Sequence, residues 1–348
     1  MEGGAAKDLA LWWDHARSDG TGLTDMDENI VIETSGLTKS YGKTLAVDHI
    51  SFEVKRGEIF GFLGPNGAGK TTTIRMLTGL SRPTEGSARV LRFSIKSEIA
   101  QAKKHIGVVP ELSNLYDELS AFDNLLFAAQ LYGVPRRHRR ERADKLLKMF
   151  GLYERRNQSF GTLSRGMKRA LTIAAALVHS PELLFLDEPT VGLDVVAARS
   201  LRSLISSLRQ QGTTIFLTTH YLEEADLLCD RIALIVKGRI VQTDSPNRLK
   251  ARVEENPPTE ISFTDAAPSL VEDLLQMLPG LQVTALDHRV RIYGGVVADV
   301  LETVIQLAKK KGIGIESVTS LRPSLEDAFV KITGLAPAVM AMEKGGRR

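Results

Sequence analysis

The chain has 348 residues, of which 43% are hydrophobic and 25% charged, with a formal net charge of +3. That is the composition of an ordinary globular protein with room for two or three domains, and so small a positive balance gives no reason to expect nucleic acid as a partner. The single cysteine, Cys229, allows neither an internal disulfide nor a cysteine-based metal site; apolar stretches such as Ala170 to Val178 fall far short of the roughly 20 residues of a membrane span; and no signal peptide is visible, so a cytoplasmic chain is expected.

In chain order, residues 1–29 mix Gly, Asp, Ser and Thr around one short amphipathic piece, Leu9 to Trp13, and read as a flexible tail. From Ile30 the texture is strand-like: Ile30 to Ile32 and Ile50 to Val54 are β-branched or alternating runs, with Tyr41-Gly42 between them. The π-face of Tyr41 can stack on a base, although most tyrosines only fill space.

Ile59-Phe60-Gly61-Phe62-Leu63 reads as a buried strand, and Thr72 to Leu80 as a helix. Between them lies Gly64-Pro65-Asn66-Gly67-Ala68-Gly69-Lys70-Thr71, which fits G-x-x-x-x-G-K-[ST] in the strand–loop–helix context that a phosphate-binding loop requires. Glycines let the main chain wrap round phosphate oxygens, and the following helix start adds unpaired N–H donors. Lys70 is expected to bridge the outer phosphates and the Thr71 hydroxyl to hold Mg²⁺.

Arg82 to Gly86 is a turn cluster, and Ile106 to Pro110 a short strand ending at Glu111. A helical stretch follows from Ala121 to Leu152, broken at Pro135. Arg136-Arg137-His138-Arg139-Arg140 and Arg142 read as an anionic-lipid or nucleic-acid contact or, as charge runs more often do, as the solvated start of a helix. Ser164 is placed to cap a helix that runs apolar through Ala170 to Val178 and is expected to be buried.

Leu183-Leu184-Phe185-Leu186-Asp187-Glu188 is an apolar strand ending in two acids, at the edge where ligands bind open parallel sheets. One acid is suited to Mg²⁺ and the other to deprotonating a water. Thr214 to Thr219 is a further strand with His220 at its end. Beyond Asp244 the pattern changes to strand 260–263, helix 269–278, strands 281–285 and 289–293, helix 296–310 and strand 313–318, the β-α-β-β-α-β order of a ferredoxin-like unit. A last helix, 324–332, follows Pro323, and this second region carries no catalytic constellation.

These pieces resemble the ATP-binding subunit of an ABC transporter over roughly Ile30 to Arg248. Gly64 to Thr71 is similar to the Walker A loop, Leu163-Ser164-Arg165-Gly166-Met167 to the signature, Leu183 to Glu188 to the Walker B strand, Gly192-Leu193-Asp194 to the D-loop, His220 to the switch histidine and Tyr41 to the adenine-stacking aromatic. Leu321 to Asp327 resembles the end of export-type subunits that serve drug, sodium and polysaccharide exporters.

The resemblance implies an α/β fold of the P-loop NTPase, ABC ATPase type, a mixed sheet plus a helical subdomain at about 112–180 within residues 30–248. A linker at 249–258, a ferredoxin-like α+β domain at 259–334 and a mobile tail at 335–348 are expected to follow. It implies ATP contacts from Tyr41, Gly64, Pro65, Asn66, Gly67, Ala68, Gly69, Lys70, Thr71 and Thr72. From a second ATPase subunit, as a homodimer or heterodimer, it implies contacts from Ser164, Gly166 and Asp194. Glu188 becomes the general base, His220 steadies the γ-phosphate, and Thr71, Glu111 and Asp187 hold Mg²⁺. A transmembrane permease on a separate chain is the expected partner, reached at the cytoplasmic face of the cell membrane. Leu115, Tyr116, Phe122 and Phe127 either line the groove for it or belong to the core.

Three positions depart from the family pattern: Glu111 replaces a glutamine, Arg165 a glycine and Met167 a glutamine. Competing readings are a soluble ATPase acting on ribosomes or DNA, against which the single cassette speaks, and a poorly hydrolysing nucleotide-dependent regulator, for which Glu111 is the only hint.

Overall fold

The computed structural model describes residues 29–254, 258–264, 268–320, 323–335 and 338–341. The amphipathic piece Leu9 to Trp13, the linker positions 255–257, Leu321-Arg322 and the last seven residues of the expected tail, 342–348, lie outside these described residues.

The chain opens with a long antiparallel hairpin, β1 (Ile30–Tyr41) and β2 (Thr44–Lys55), in place of two short separated strands. Then come β3 (Ile59–Leu63), α1 (Lys70–Leu77), β4 (Glu85–Val90), β5 (Phe93–Ser94), α2 (Ile99–Ala102) and β6 (Ile106–Val109). The helical subdomain contributes α3 (Ala121–Leu131), α4 (Arg136–Met149) and α5 (Arg165–Leu177). Pro135 separates α3 from α4, and the Ser164 side chain caps α5 by accepting from the Met167 N–H at 3.3 Å. The chain continues through β7 (Leu183–Asp187), α6 (Val195–Gln210), β8 (Thr214–Thr219), α7 (Leu222–Leu228), β9 (Arg231–Val236), β10 (Arg239–Asp244) and α8 (Pro246–Glu254).

These elements make two sheets. One is antiparallel, in the order β2-β1-β4-β5. The other runs β10-β9-β3-β8-β7-β6, parallel except for the β9–β10 edge pair. The central strands are buried on both faces, so they read as continuous apolar runs; their side chains still alternate. Phe60, Phe62, Phe185 and Phe216 point toward the antiparallel sheet, where Phe52 joins them with ring centroids 5.4–6.0 Å apart. Ile59, Leu63, Leu184, Leu186, Ile215 and Leu217 point the other way, into a core shared with the helices. The parallel sheet is thus the middle layer, and its β3, β6, β7 and β8 all end at one edge.

The second region contains β11 (Thr259–Phe263), α9 (Pro268–Met277), β12 (Gln282–Leu286), β13 (Arg289–Tyr293), α10 (Val297–Lys311) and β14 (Ile315–Ser320). Its sheet is antiparallel in the order β12-β13-β11-β14, that of a split-βαβ unit, with its own apolar core.

Two expected boundaries are corrected. Residues 249–254 are not linker but the end of α8, because Leu249 and Val253 are buried one turn apart on its inner face. The last long helix, α11 (Leu325–Thr333), does not join the ferredoxin-like core. Its Leu325, Ala328 and Phe329 pack with Leu249 and Val253 in the ATPase-side core, as does Met340 of α12 (Ala338–Ala341), a part of the expected mobile tail.

Candidate functional site

Every loop of the candidate site leaves the same edge of the parallel sheet. The Gly64–Gly69 loop follows β3, Glu111 follows β6, Asp187 and Glu188 end β7, and His220 follows β8. Register ties them together, since Leu63 lies opposite Thr219 and Asp187 opposite Thr218. A cleft of about 640 Å³ at this edge is lined by Asn66, Gly67, Gly69, Lys70, Thr71 and Thr72 of the loop and helix start, and by Glu111, Glu188 and His220.

The loop's glycines have a steric cause. A Cβ on Gly64 would stand 2.1 Å from the Ile235 carbonyl oxygen, and Gly69 has φ +107° with the Ala46 carbonyl 2.6 Å from a built Cβ. Gly64, Pro65 and Ala68 act through the main chain: Lys70 Nζ donates to the Gly64 and Pro65 carbonyls at 2.5 and 3.1 Å, and the Ala68 N–H returns to Pro65 at 3.2 Å.

Lys70 Nζ also lies 3.1 Å from Glu188 Oε1. The other Glu188 oxygen accepts from the His220 main-chain N–H at 3.3 Å and meets His220 Nδ1 at 2.9 Å. Burial pushes the Glu188 carboxyl up, but the His220 hydrogen bond and the Lys70 charge outweigh it, and the net direction is down. Its φ of +48° is a left-handed conformation that a glutamate holds only when its surroundings fix it.

Asp187 differs. Burial is the largest influence and raises its pKa, hydrogen bonds from Thr218 and Thr71 oppose it, the Glu188 charge adds to the rise, and the net direction is up. Its Oδ1 accepts from Thr218 Oγ1 at 2.6 Å and Thr71 Oγ1 at 3.3 Å. Thr71 lines the cleft, and buried Asp187, which does not line it, meets the Thr71 hydroxyl; both are hard oxygen donors, and Mg²⁺ needs only one or two of these when water and phosphate complete its shell. The donor set therefore fits that ion.

Three expected residues stand elsewhere. Ser164, Gly166 and Asp194 line a separate cavity of about 720 Å³, where Asp194 caps α6 through the Ala197 N–H at 2.8 Å. Tyr41, half exposed with Lys39 Nζ 5.0 Å from its ring centroid, is not among the residues lining the cleft, whereas Tyr221 is. Sequence reasoning also missed Thr218 and Arg169. Arg169 left a faint signal: it is the last of three cations, after Arg165 and Lys168, before the apolar run of a helix expected to be buried, and a cation buried there must have partners.

Residues 47–191 match the ABC transporter family. The linearmycin resistance ATP-binding protein LnrL of Bacillus subtilis is 35% identical over 87% of this chain and 98% of its own length. The bacitracin transport ATP-binding protein BcrA of Bacillus licheniformis is 37% identical over 87% of this chain and 97% of its own. The ATP-binding cassette MJ0796, solved as a post-hydrolysis dimer with ADP and Pi, matches with a TM-score of 0.57 and 26% identity over 62% of this chain and 98% of that one. With its phosphate loop, paired acids and strand-end histidine gathered at one sheet edge, the chain belongs to the ABC transporter family, as one of its ATP-binding ATPases.

Proposed function

We propose that this chain is the Mg²⁺-dependent motor subunit of an exporter whose membrane-spanning part is a separate permease, and that it works as a pair of ATPase subunits at the cytoplasmic face of the membrane. The observation that carries this reading is the separation of the two cavities. The phosphate loop shares one cleft with Glu111 and Glu188, while Ser164, Gly166 and Asp194 share another, which supports completion of each ATP site by the signature of a second chain. No helix among the described residues is long and apolar enough to cross a membrane, and relatives named for linearmycin resistance and bacitracin transport support an export role.

On this reading the loop N–H groups and Lys70 hold the β- and γ-phosphates, Lys70 turning from Glu188 to do so. Thr71 and Glu111 of the cleft lining, with Asp187 against Thr71, would hold Mg²⁺, which would offset the phosphate charge. Glu188, kept ionised, takes a proton from water as the water oxygen attacks the γ-phosphorus and the bond to the β-phosphate oxygen breaks, leaving ADP and phosphate. His220 fixes the Glu188 carboxylate and steadies the γ-phosphate. Ser164 and Gly166 face the nucleotide of the partner subunit, and Asp194 links the two sites. The ferredoxin-like region is an accessory domain beside the motor.

ATP turnover by the purified full chain, with Mg²⁺ and with a chelator, tests the enzyme, and recovery of an integral membrane protein with the tagged chain tests the permease. Mg²⁺-dependent turnover with a permease is expected. Turnover indifferent to chelator removes the metal assignment, and a tagged chain that brings down ribosomes or DNA instead overturns the exporter reading. Glu111→Gln is expected to change the rate without abolishing it; a silent wild type awakened by this change marks a regulator.

A further inference from the structure

Helix α5 carries an arginine that the reaction as derived above does not use. Arg169 is 7% exposed, and its guanidinium is spent on main-chain carbonyls from two separate loops. Nε donates to Pro189 O at 2.8 Å and Nη2 to Asp187 O at 2.7 Å, both at the end of β7. Nη1 donates to Pro110 O and, at 3.3 Å, to Glu111 O, both in the loop after β6. A planar fork with five N–H donors can serve several carbonyls at once; an ammonium with three donors on one atom cannot span both loops. A charge this buried is costly unless fully hydrogen-bonded, so its retention asks for a reason.

The placement supplies one. Arg169 lies a little over one turn into the helix that Ser164 caps, and Gly166 of that helix start approaches α6, where a built Cβ would stand 3.0 Å from Ala197 Cβ. The same side chain grips the main chain at Asp187, just before Glu188 with its left-handed φ of +48°, and at Glu111. One guanidinium thus joins the start of the signature helix to the backbone that aims both acids and to the loop that presents Glu111.

We propose that Arg169 is a positioning residue that makes the start of α5, the Glu111 loop and the Asp187–Glu188 strand end move as one body. Engagement of the signature by the partner subunit's ATP then sets the acids of this chain's own site. This rests on the paired-subunit reading above. Arg169 is not among the residues lining the phosphate-loop cleft, and the hydrogen bonds described for it go to main-chain carbonyls. Its loss therefore acts on the chemical step and spares ATP binding.

The test uses the full chain with Arg169→Lys and Arg169→Met, both checked for cooperative unfolding. The expected result is a kcat lower by about 100-fold, the order produced by a 1 Å misplacement of catalytic groups, with the ATP Kd within about threefold of wild type and no rescue by lysine. Adding Arg169→Met to Glu188→Gln is expected to lower the residual rate little further, because both act on the same base. Wild-type kcat in Arg169→Lys overturns the proposal, as does a loss carried equally by kcat and ATP affinity. If neither variant folds, hydrogen exchange in the wild-type chain decides: segments 110–111, 165–169 and 187–190 are expected to gain protection at one common ATP concentration, and separate midpoints overturn it. A wild type without ATP turnover would instead refute the ATPase-motor reading itself.

Discussion

Lys70 Nζ and Glu188 Oε1 face each other at 3.1 Å, both side chains almost wholly buried. The cation of the phosphate loop and the base of the proposed reaction are thus each other's counter-ion. Phosphate must draw the ammonium away from the carboxylate, and this frees one Glu188 oxygen to face water. Removing the carboxylate therefore has two consequences of opposite sign. Glu188→Gln is expected to lower turnover by about 10³-fold, within the usual range for a lost general base, while ATP binding is retained or tightened because Lys70 no longer has an anionic competitor. Equilibrium ATP binding and single-turnover hydrolysis on the same protein check this. Wild-type turnover in Glu188→Gln would remove Glu188 from the mechanism.

The complementary change is Lys70→Ala. It leaves Glu188 buried without its cation and takes one charge from the phosphate cradle. ATP Kd is expected to rise at least about tenfold, the order of one charge-assisted hydrogen bond. An unchanged Kd by calorimetry would show that the Gly64–Thr71 loop is not the phosphate site.

Much of this site is legible in sequence because its chemistry is local. The phosphate loop is continuous, and the acids and His220 close strands whose apolar runs stand out. What sequence does not carry is the meeting of separate segments in space. Arg169 reaches carbonyls at Pro110 and Asp187 through packing alone, and Thr218 finds Asp187 only through strand register. The same limit explains the misplaced boundaries. Leu249, Val253 and Phe329 are apolar positions in short helices, and periodicity shows that they are buried without showing in which core. Tyr41 is the converse case, an aromatic suited to stacking but placed outside the cleft lining.

Glu182 provides a pH-dependent contribution to stability. The hydrogen-bonded His105 ring at 3.2 Å and Arg56 at 2.8 Å hold its carboxyl at about 2 against the opposing effect of burial. Because the folded value lies below the unfolded one, the contribution is fully present above the ordinary glutamate range and is lost as pH falls from about 4.5 toward 2. All three groups are partly exposed, so solvent limits its size to about 1 kcal/mol. Glu182→Gln is expected to lower the urea midpoint at pH 7 and to have a much smaller effect near pH 2, where most of the contribution is already lost. Equal losses at both pH values would show that packing, not charge, is responsible.

Asp327 holds the accessory sheet to the returning helix. Its Oδ2 accepts from the Ser324 N–H and hydroxyl at 2.8 and 2.6 Å, closing a capping box on α11, and its Oδ1 meets Arg291 Nη1 of β13 at 3.3 Å. Arg291 keeps Glu260 at 2.8 Å, so losing Asp327 does not strand it. Asp327→Ala is expected to cost about 2–3 kcal/mol from the cap and the buried charge-assisted bond together. Asp327→Asn, whose amide oxygen still caps, is expected to cost less. Chemical unfolding gives the energies, and protease sensitivity between β14 and α11 shows whether the sheet has loosened from the helix. A loss below about 0.5 kcal/mol in Asp327→Ala would place this contact among ordinary surface pairs.

The separation of Lys70 and Ser164 into different cavities makes a prediction about stoichiometry that neither residue makes alone. If each ATP site joins one chain's phosphate loop to the signature of a second, Lys70→Ala and Ser164→Arg chains are each inactive, since both sites in either homodimer carry a defective half. A mixed pair is different. One of its sites combines both defects, and the other combines the intact loop of the Ser164→Arg chain with the intact signature of the Lys70→Ala chain. Random pairing makes half the dimers mixed, each with one good site of two, so an equimolar mixture is expected to recover roughly a quarter of wild-type turnover if the sites fire independently. Dilution of the wild type is expected to lower turnover per chain as pairs separate. A mixture no more active than its parts, together with turnover per chain that does not change on dilution, would mean that one chain completes its own site, and the two cavities would need a different explanation.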